Sequence, residues 1–120
     1  MSDSPSIFTR IIAREIPADV VFENERIIAI TDINPQAEVH LLVIPKHEYR
    51  NVTELAAADP VLLAEVVSVA QRLAAEHSGG EYRLIFNTGE STGQTVFHVH
   101  GHVLGTRSLG GKLQEGSLAL

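Results

Sequence analysis

The sequence of 120 residues contains no cysteine and no tryptophan, and only 5% of its residues are aromatic. The absence of cysteine excludes disulfides, cysteine-ligated zinc and thiol nucleophiles from this chain. Lys and Arg number 9 against 15 Asp and Glu, which gives a formal net charge of −6. We therefore expect no nucleic-acid partner, because phosphate contacts need a cluster of basic side chains.

Long apolar runs are also missing from the sequence. None approaches the roughly 20 residues that a transmembrane helix needs. Residues 1–7 lack the basic and apolar regions of a signal peptide. With 44% hydrophobic residues, the chain can form one compact domain. We expect a cytoplasmic protein with no membrane partner.

The sequence contains a row of three histidines at positions 98, 100 and 102, which is half of the six histidines in the chain. They alternate with Val99 and Gly101 in a β-branched, apolar segment. The alternation predicts a strand that carries three imidazoles on one face, with neighbours roughly 6.5–7 Å apart. Such a row indicates chemistry, since imidazole can be a nucleophile, acid, base or metal ligand near neutral pH.

Patterns elsewhere predict an α+β domain. The predicted elements are a short helix after Ser4-Pro5-Ser6 that ends at Pro17, strands at 20–23, 27–31 and 40–44, a long helix at 60–77, a strand at 82–87, and the histidine strand. This order favours a mostly antiparallel sheet of about five strands with one long and one short helix. We expect a single domain over residues 1–107. The tail at 108–120 is expected to be mobile or to lie at the active site or a dimer interface.

Three interpretations of the histidine row are open from the residues alone. The first is that they are ordinary strand histidines with satisfied hydrogen bonds. The second is a zinc site, to which two histidines at i and i+2 can contribute. On a flat strand, however, the third lies roughly 13 Å from the first, and no HxxEH or CxxC partner is present.

The third interpretation, nucleophilic catalysis, fits the row best. An imidazole can attack phosphorus and form a covalent intermediate, which divides one difficult displacement into two. The flanking imidazoles can then hold phosphate oxygens in the transition state. The glycine-containing loop before the row can add main-chain N–H groups that approach an anion closely. We therefore predict a site that uses no metal and no cofactor.

The sequence HVHGHVL at 98–104 resembles the signature of the histidine triad (HIT) family. The sequence GQTVF at 93–97 is similar to the Hint branch, the histidine triad nucleotide-binding proteins. Segments at 11–17, 32–37, 40–46 and 87–89 follow the family's order and spacing, so the resemblance covers about residues 7 to 107. Two departures stand out: Gly101 replaces a hydrophobic residue, and Thr31 stands where many relatives carry a histidine.

The resemblance implies a HIT-like fold and a purine nucleoside 5′-phosphoramidate hydrolase with a nucleotidyl-histidine intermediate. By position, His100 matches the nucleophile, His98 and His102 its flanking partners, and His40 an additional histidine behind it. Asp32 matches the ribose-binding acid, although a carboxylate there can equally cap the turn at Asn34-Pro35. The other implied substrate-binding residues are Asn87, Gly93, Gln94, Thr95 and Val96, together with Phe8, Ile11, Ile30, Ile33 and Leu42 around the base. Thr95 is also the hydroxyl best placed to assist the departing amine.

Assembly and rival functions complete the expectations. The long helix carries Val66, Val69, Ala70 and Leu73, more apolar surface than one small sheet obviously needs, and the strand at 82–86 follows it. These elements form the dimer in Hint-like proteins, so we expect a homodimer with a two-fold axis. The rival functions are dinucleoside polyphosphate hydrolysis, non-catalytic purine-nucleotide-dependent regulation, and metal binding.

Overall fold

A computed structural model describes residues 5–108 and 111–113. Its helices are α1 (Ile7–Ile12), α2 (Val52–Ala58) and α3 (Pro60–His77), and its strands are β1 (Val20–Glu23), β2 (Ile27–Thr31), β3 (Val39–Pro45), β4 (Arg83–Ile85) and β5 (Gly101–Gly105). The predicted helix start at Ser4 and most of the predicted tail, at 109–110 and 114–120, lie outside the described residues. No helix in the described part of the chain is long and apolar enough to cross a membrane.

The five strands form one antiparallel sheet in the order β1-β2-β3-β5-β4. The last strand in the chain, β5, therefore lies between β3 and β4. Its register with β3 places His102 opposite Leu42 and Leu104 opposite His40. The predicted α+β fold with five mostly antiparallel strands is confirmed.

Strand β3 is buried on both faces, which explains its nearly continuous apolar sequence. Its side chains alternate between two clusters, as the two-residue period of a strand requires. Val39, Leu41 and Val43 pack with residues of α2 and α3. Leu42 and Ile44 face the other way and pack with residues of α1. The sheet thus separates a helix-covered core from the face that carries α1.

The helix boundaries follow local capping signals. The Asp59 side chain accepts a hydrogen bond from the N–H of Leu62 at 3.0 Å, and Pro60 occupies the first position of α3. Gly79 and Gly80, both at positive φ, follow its end. The sequence did not predict α2, whose one buried residue is Leu55. A seven-residue helix with a single buried residue gives no apolar periodicity to detect.

The predicted histidine strand is wrong in its extent. Strand β5 begins at Gly101, so residues 95–100 approach the sheet as irregular chain. In this segment Val99 donates its N–H to the main-chain oxygen of Tyr49 at 2.8 Å, a partner outside the sheet. The predicted alternation of faces nevertheless holds, because Val99 and Val103 belong to the core under the helices. Strand β4 is also shorter than the predicted 82–87.

The apolar stripe of α3 packs against this chain's own sheet. Val66, Val69, Ala70 and Leu73 are all buried there. These four residues leave no apolar surface for a partner, so the argument that used them for a dimer interface is corrected. The exposed Val61 and Val67 lie elsewhere on the same helix.

Candidate active site

Four histidines converge on the face of the sheet that carries α1. His40 lies on β3 and His102 on β5, with their ring centroids 5.2 Å apart. The rings of His100 and His102 are 5.1 Å apart. His98 precedes them and, like His100, contacts the ring of Phe8 edge-on. The structure thus brings together all four histidines that the sequence singled out.

His100 holds its proton on the inner nitrogen. Its Nδ1 lies 2.8 Å from the main-chain oxygen of His98. Since a carbonyl oxygen can only accept, Nδ1 must carry the hydrogen and Nε2 presents a lone pair. Burial lowers the pKa of His100, although the hydrogen bond from its ring to the main-chain oxygen of His98 opposes this shift. The lowered pKa favours the neutral form of the ring near pH 7.

In His102 a hydrogen-bonded chain places the proton on the other ring nitrogen, Nε2. The N–H of Gln36 donates to His40 Nδ1 at 3.0 Å, so the proton of His40 lies on Nε2. This nitrogen lies 2.9 Å from His102 Nδ1, which accepts. The proton of His102 is thereby placed on Nε2, as a neutral donor. Burial, with contributions from His100 and His40, lowers the pKa of His102 to about 4.

His98 differs from its neighbours because its side chain is fully buried and both ring nitrogens have protein partners. Its Nε2 lies 2.7 Å from the main-chain oxygen of Pro45, and its Nδ1 lies 2.7 Å from Ser6 Oγ. Neither nitrogen is left for a phosphate oxygen. The expectation of one imidazole donor on each side of the nucleophile is corrected: His102 can donate, whereas His98 supports the site from behind.

Asp32 caps a turn and also borders the histidine cluster. Its Oδ1 accepts the N–H of Asn34 at 2.8 Å, which caps the turn as an Asx motif. Its Oδ2 lies 3.3 Å from His40 Nε2 and so borders the histidine cluster. Asp32, His40 and His102 offer ligand atoms within 4.8 Å of one another and could hold a metal ion. The Nε2 proton that the Gln36 hydrogen bond fixes on His40 opposes such a use.

Most of the predicted base pocket is assembled beside the histidines. Phe8, Ile11, Ile30 and Leu42 are buried in one cluster, and Val96 packs against it. Ile33 does not join them, because its side chain is 97% exposed on the turn after β2. The apolar wall is therefore built from α1, β2 and β3.

The loop before the triad is shaped by Gln94, which is buried. Its Oε1 accepts the N–H of Gly89 at 2.9 Å, and its Nε2 donates to the main-chain oxygens of Arg50 and Val96 at 2.8 and 3.1 Å. The Gln94 side chain thus binds this chain's own backbone. Gly93, at φ 100°, takes a left-handed conformation that favours glycine. Asn87 is half-buried and Thr95 is exposed.

Comparison with known proteins agrees with this architecture. The HIT domain family matches residues 13–109. The chain belongs to the HIT domain family. It is 47% identical over 105 residues to an uncharacterized HIT-like protein of Synechococcus elongatus, covering 87% of this chain and 92% of that protein. It is 40% identical over 115 residues to the purine nucleoside phosphoramidase of Escherichia coli, covering 94% and 97%.

Solved structures give the same result. The HIT family hydrolase from Clostridium thermocellum superposes with a TM-score of 0.82 at 41% identity, and the match covers 94% of this chain and all of that one. The HIT resemblance read from residues 98–104 is confirmed, and the relatives support a hydrolase.

Sequence reasoning missed the part that three residues play at this site: Ser6, Gln36 and Glu48. Each reaches the histidine cluster by a hydrogen bond or at the end of a hydrogen-bonded chain. Ser6 is recognisable in the sequence as a helix N-cap, but its contact with His98 is not. Gln36 acts through its main-chain N–H, which leaves no trace in side-chain chemistry.

Proposed function

We propose that this protein hydrolyses purine nucleoside 5′-phosphoramidates through a covalent intermediate on His100. The observation that carries the proposal is the distribution of protons among the four imidazoles. Both ring nitrogens of His40 and of His98 have hydrogen-bond partners, and His102 presents an N–H at Nε2. His100 Nε2, in contrast, is an unprotonated nitrogen with no hydrogen-bond partner among the described residues. The phosphoramidase activity named for the Escherichia coli relative supports the same reaction.

The reaction proceeds in two displacements. In the first, His100 Nε2 attacks phosphorus, the P–N bond breaks, and the departing nitrogen takes up a proton that comes from solvent and leaves as the amine. In the second, water attacks phosphorus and gives up a proton to solvent, the bond to His100 Nε2 breaks, and the nucleoside monophosphate is released. The hydrogen bond from Nδ1 to the carbonyl of His98 stabilises the ring as positive charge develops on it. The His102 Nε2–H can donate to a phosphate oxygen as negative charge shifts there.

Substrate placement follows from the chemistry around the nucleophile. The base fits the apolar wall of Phe8, Ile11 and Leu42, which reaches the triad through the contact between Phe8 and His100. Asp32 retains acceptor lone pairs for ribose hydroxyls, since each carboxylate oxygen can accept two hydrogen bonds. Thr95, exposed three residues before His98, is our candidate for assisting the amine.

Direct detection of the intermediate tests the proposal. The protein is mixed with an adenosine phosphoramidate, quenched within one turnover and digested. The mass of each histidine-containing peptide is then measured by mass spectrometry. We expect the mass of one nucleotidyl group on the peptide containing His100, together with release of AMP. His77→Ala, at the last residue of α3, is the control and should react normally. Turnover without any adduct would refute a covalent mechanism.

The rival substrate class is tested in the same assay. Diadenosine polyphosphates supply a phosphate leaving group, which needs less protonation than an amine does. If the protein cleaves them faster than it cleaves phosphoramidates, it is a dinucleoside polyphosphate hydrolase. Binding of purine nucleotides with neither activity would indicate a regulatory protein.

We also propose a homodimer, now on the basis of the sheet rather than of α3. Strand β4 is an edge strand, and edges favour pairing with another chain. Pairing two β4 edges about a two-fold axis would extend both sheets. Sedimentation at micromolar concentration should give twice the 13.0 kDa of the chain. A species of 13.0 kDa would refute this assembly.

A further inference from the structure

The surroundings of His98 contain a hydrogen-bonded chain that the proposed reaction does not use. Ser6 Oγ lies 2.7 Å from His98 Nδ1 and also accepts the N–H of Thr9 at 3.0 Å, as the N-cap of α1. Thr9 Oγ1 lies 3.2 Å from Ser6 Oγ and donates to Glu48 Oε1 at 2.9 Å. The same carboxylate oxygen accepts the main-chain N–H of Ser6 at 3.0 Å. The chain thus runs from a buried imidazole to a half-exposed carboxylate.

Three segments distant in sequence meet at this point. Glu48 follows β3, Ser6 begins α1, and His98 precedes β5. Two consequences follow from the contacts of His98 and α1. The main-chain oxygen of His98 orients the His100 ring, and Phe8, two residues after Ser6, packs against both rings. A displacement of the Ser6 cap would therefore move a wall of the base pocket and the support of the nucleophile together.

The hydroxyls of Ser6 and Thr9 can complete the hydrogen bonds of His98 whether its ring is neutral or protonated. Because Nε2 donates to Pro45, neutral His98 accepts at Nδ1 from the Ser6 hydroxyl. When His98 is protonated, Nδ1–H donates to Ser6 Oγ, and the Ser6 hydroxyl turns to Thr9 Oγ1. Thr9 donates to Glu48 in both states. No buried group loses its partner, and the chain ends on a carboxylate whose Oε1 lies 3.7 Å from Nδ1.

We propose that Glu48 is a positioning residue, which acts through Thr9 and Ser6 to hold the imidazole of His98 and, with it, the oxygen that orients His100. This role rests on the proposed function for its effect on turnover, but the arrangement of His98 itself does not. The titratable groups that face His98 are Glu48 and His47, with His100 beside it. Burial lowers the pKa of His98, and Glu48 opposes that shift. The N–H of Ser6 lowers the pKa of Glu48, which keeps its carboxylate charged at neutral pH.

The first test uses the ligand-free protein and needs no activity. Long-range proton–nitrogen NMR follows the two ring nitrogens of His98 across pH in the wild type, in Glu48→Gln and in the control Glu15→Gln. Glutamine keeps an acceptor oxygen but removes the charge. We expect Glu48→Gln to lower the pKa of His98, because the neighbouring negative charge that favours the imidazolium is gone. A titration of His98 that matches the Glu15→Gln control would overturn the proposal.

The second test separates action through Ser6 from a direct effect of charge. The kcat/KM for an adenosine phosphoramidate is measured for Glu48→Gln, for Ser6→Ala and for the double variant. We expect each single change to reduce kcat/KM on the order of tenfold, since small displacements of reacting groups are costly. The double variant should lose little more than either one, because both changes break the same chain. Ser6→Thr, which retains the hydroxyl, should recover most of the activity.

The outcomes distinguish this inference from the proposed function. Strictly additive losses would overturn the inference, since Glu48 would then act independently of Ser6. If even the wild type fails to hydrolyse the phosphoramidate, the proposed function fails. In that case the His98 titration, repeated with Ser6→Ala and with the double variant, decides whether Glu48 acts through Ser6.

Discussion

His100 Nδ1 donates a hydrogen bond to the main-chain oxygen of His98, two residues before it, over 2.8 Å. This short-range bond fixes the tautomer of His100 and so leaves Nε2 with a free lone pair. His98 in turn is anchored by Pro45 and Ser6, which come from β3 and from the cap of α1. The tautomer of His100 is therefore fixed by the main-chain oxygen of a residue that two distant segments hold in place.

Replacing His100, the proposed nucleophile, should separate chemistry from binding. We expect His100→Ala to reduce single-turnover hydrolysis of an adenosine phosphoramidate by several orders of magnitude, as removal of a nucleophile typically does. AMP should still bind, because the apolar wall and Asp32 are untouched. Rapid-quench kinetics and calorimetry measure the two quantities. Near-normal turnover in the variant would assign the nucleophile elsewhere.

The hydroxyl of Thr95 should matter in proportion to the need of the leaving group for a proton. An amide anion is a very poor leaving group, and general acid assistance is typically worth roughly 10²–10⁴-fold. Thr95→Val keeps the shape of the side chain and removes the hydroxyl. It should slow substrates with basic amines far more than a substrate whose leaving group needs no proton. Equal slowing of both substrates would show that the hydroxyl acts in binding alone.

The histidine cluster should make the protein less stable in mild acid. The pKa of His102 is about 4 in the fold, against about 6.5 for an unperturbed histidine. Between these values the unfolded chain binds more protons than the folded one does. The contribution of His102 to the free energy of unfolding is therefore fully present above about pH 6.5 and is lost as the pH drops toward 4. Burial lowers the pKa values of His40, His98 and His100 in the same direction.

Urea unfolding at a series of pH values measures this effect. We expect the free energy of unfolding to fall on the order of 2 kcal/mol between pH 6.5 and 4 through His102 alone. His102→Gln should flatten this part of the profile, whereas His77→Gln should follow the wild type. Identical pH profiles for wild type and His102→Gln would contradict the assignment.

Gly101, a departure from the family pattern that the sequence resembles, should be coupled to Phe86. A Cβ atom built on Gly101 lies 2.9 Å from Leu84 Cδ1 and 3.0 Å from Phe86 Cζ, so these side chains fill the place of the missing one. Gly101→Leu should destabilise the fold by about 1–3 kcal/mol through overpacking. In the Phe86→Ala background the same change should cost less. A double-mutant cycle by urea unfolding measures the coupling, and a coupling energy of zero would show that the two sites are independent.

The elements that depend on local pattern were predictable from the sequence. Helix α3 carries its own cap at Asp59 and its own stop at Gly79, and β3 is a buried apolar run closed by Pro45. The alternation of histidine with valine correctly predicted opposite faces, because a period of two is a property of extended chain itself. Helix α2 was not predicted because it has one buried residue and therefore no apolar periodicity.

By itself, then, the sequence determined the residue types of the site and the face on which they lie. Only the tertiary structure decided what each imidazole can do. The hydrogen-bond partners of an imidazole determine which of its nitrogens carries the proton. The partners of His98 are Pro45 and Ser6, which are 53 and 92 residues away in the chain. Neither distance leaves a pattern in the sequence. Three histidines that look equivalent in the sequence thus differ in the fold: His100 has an unprotonated Nε2, His102 has an N–H at Nε2, and both ring nitrogens of His98 are bound to the protein.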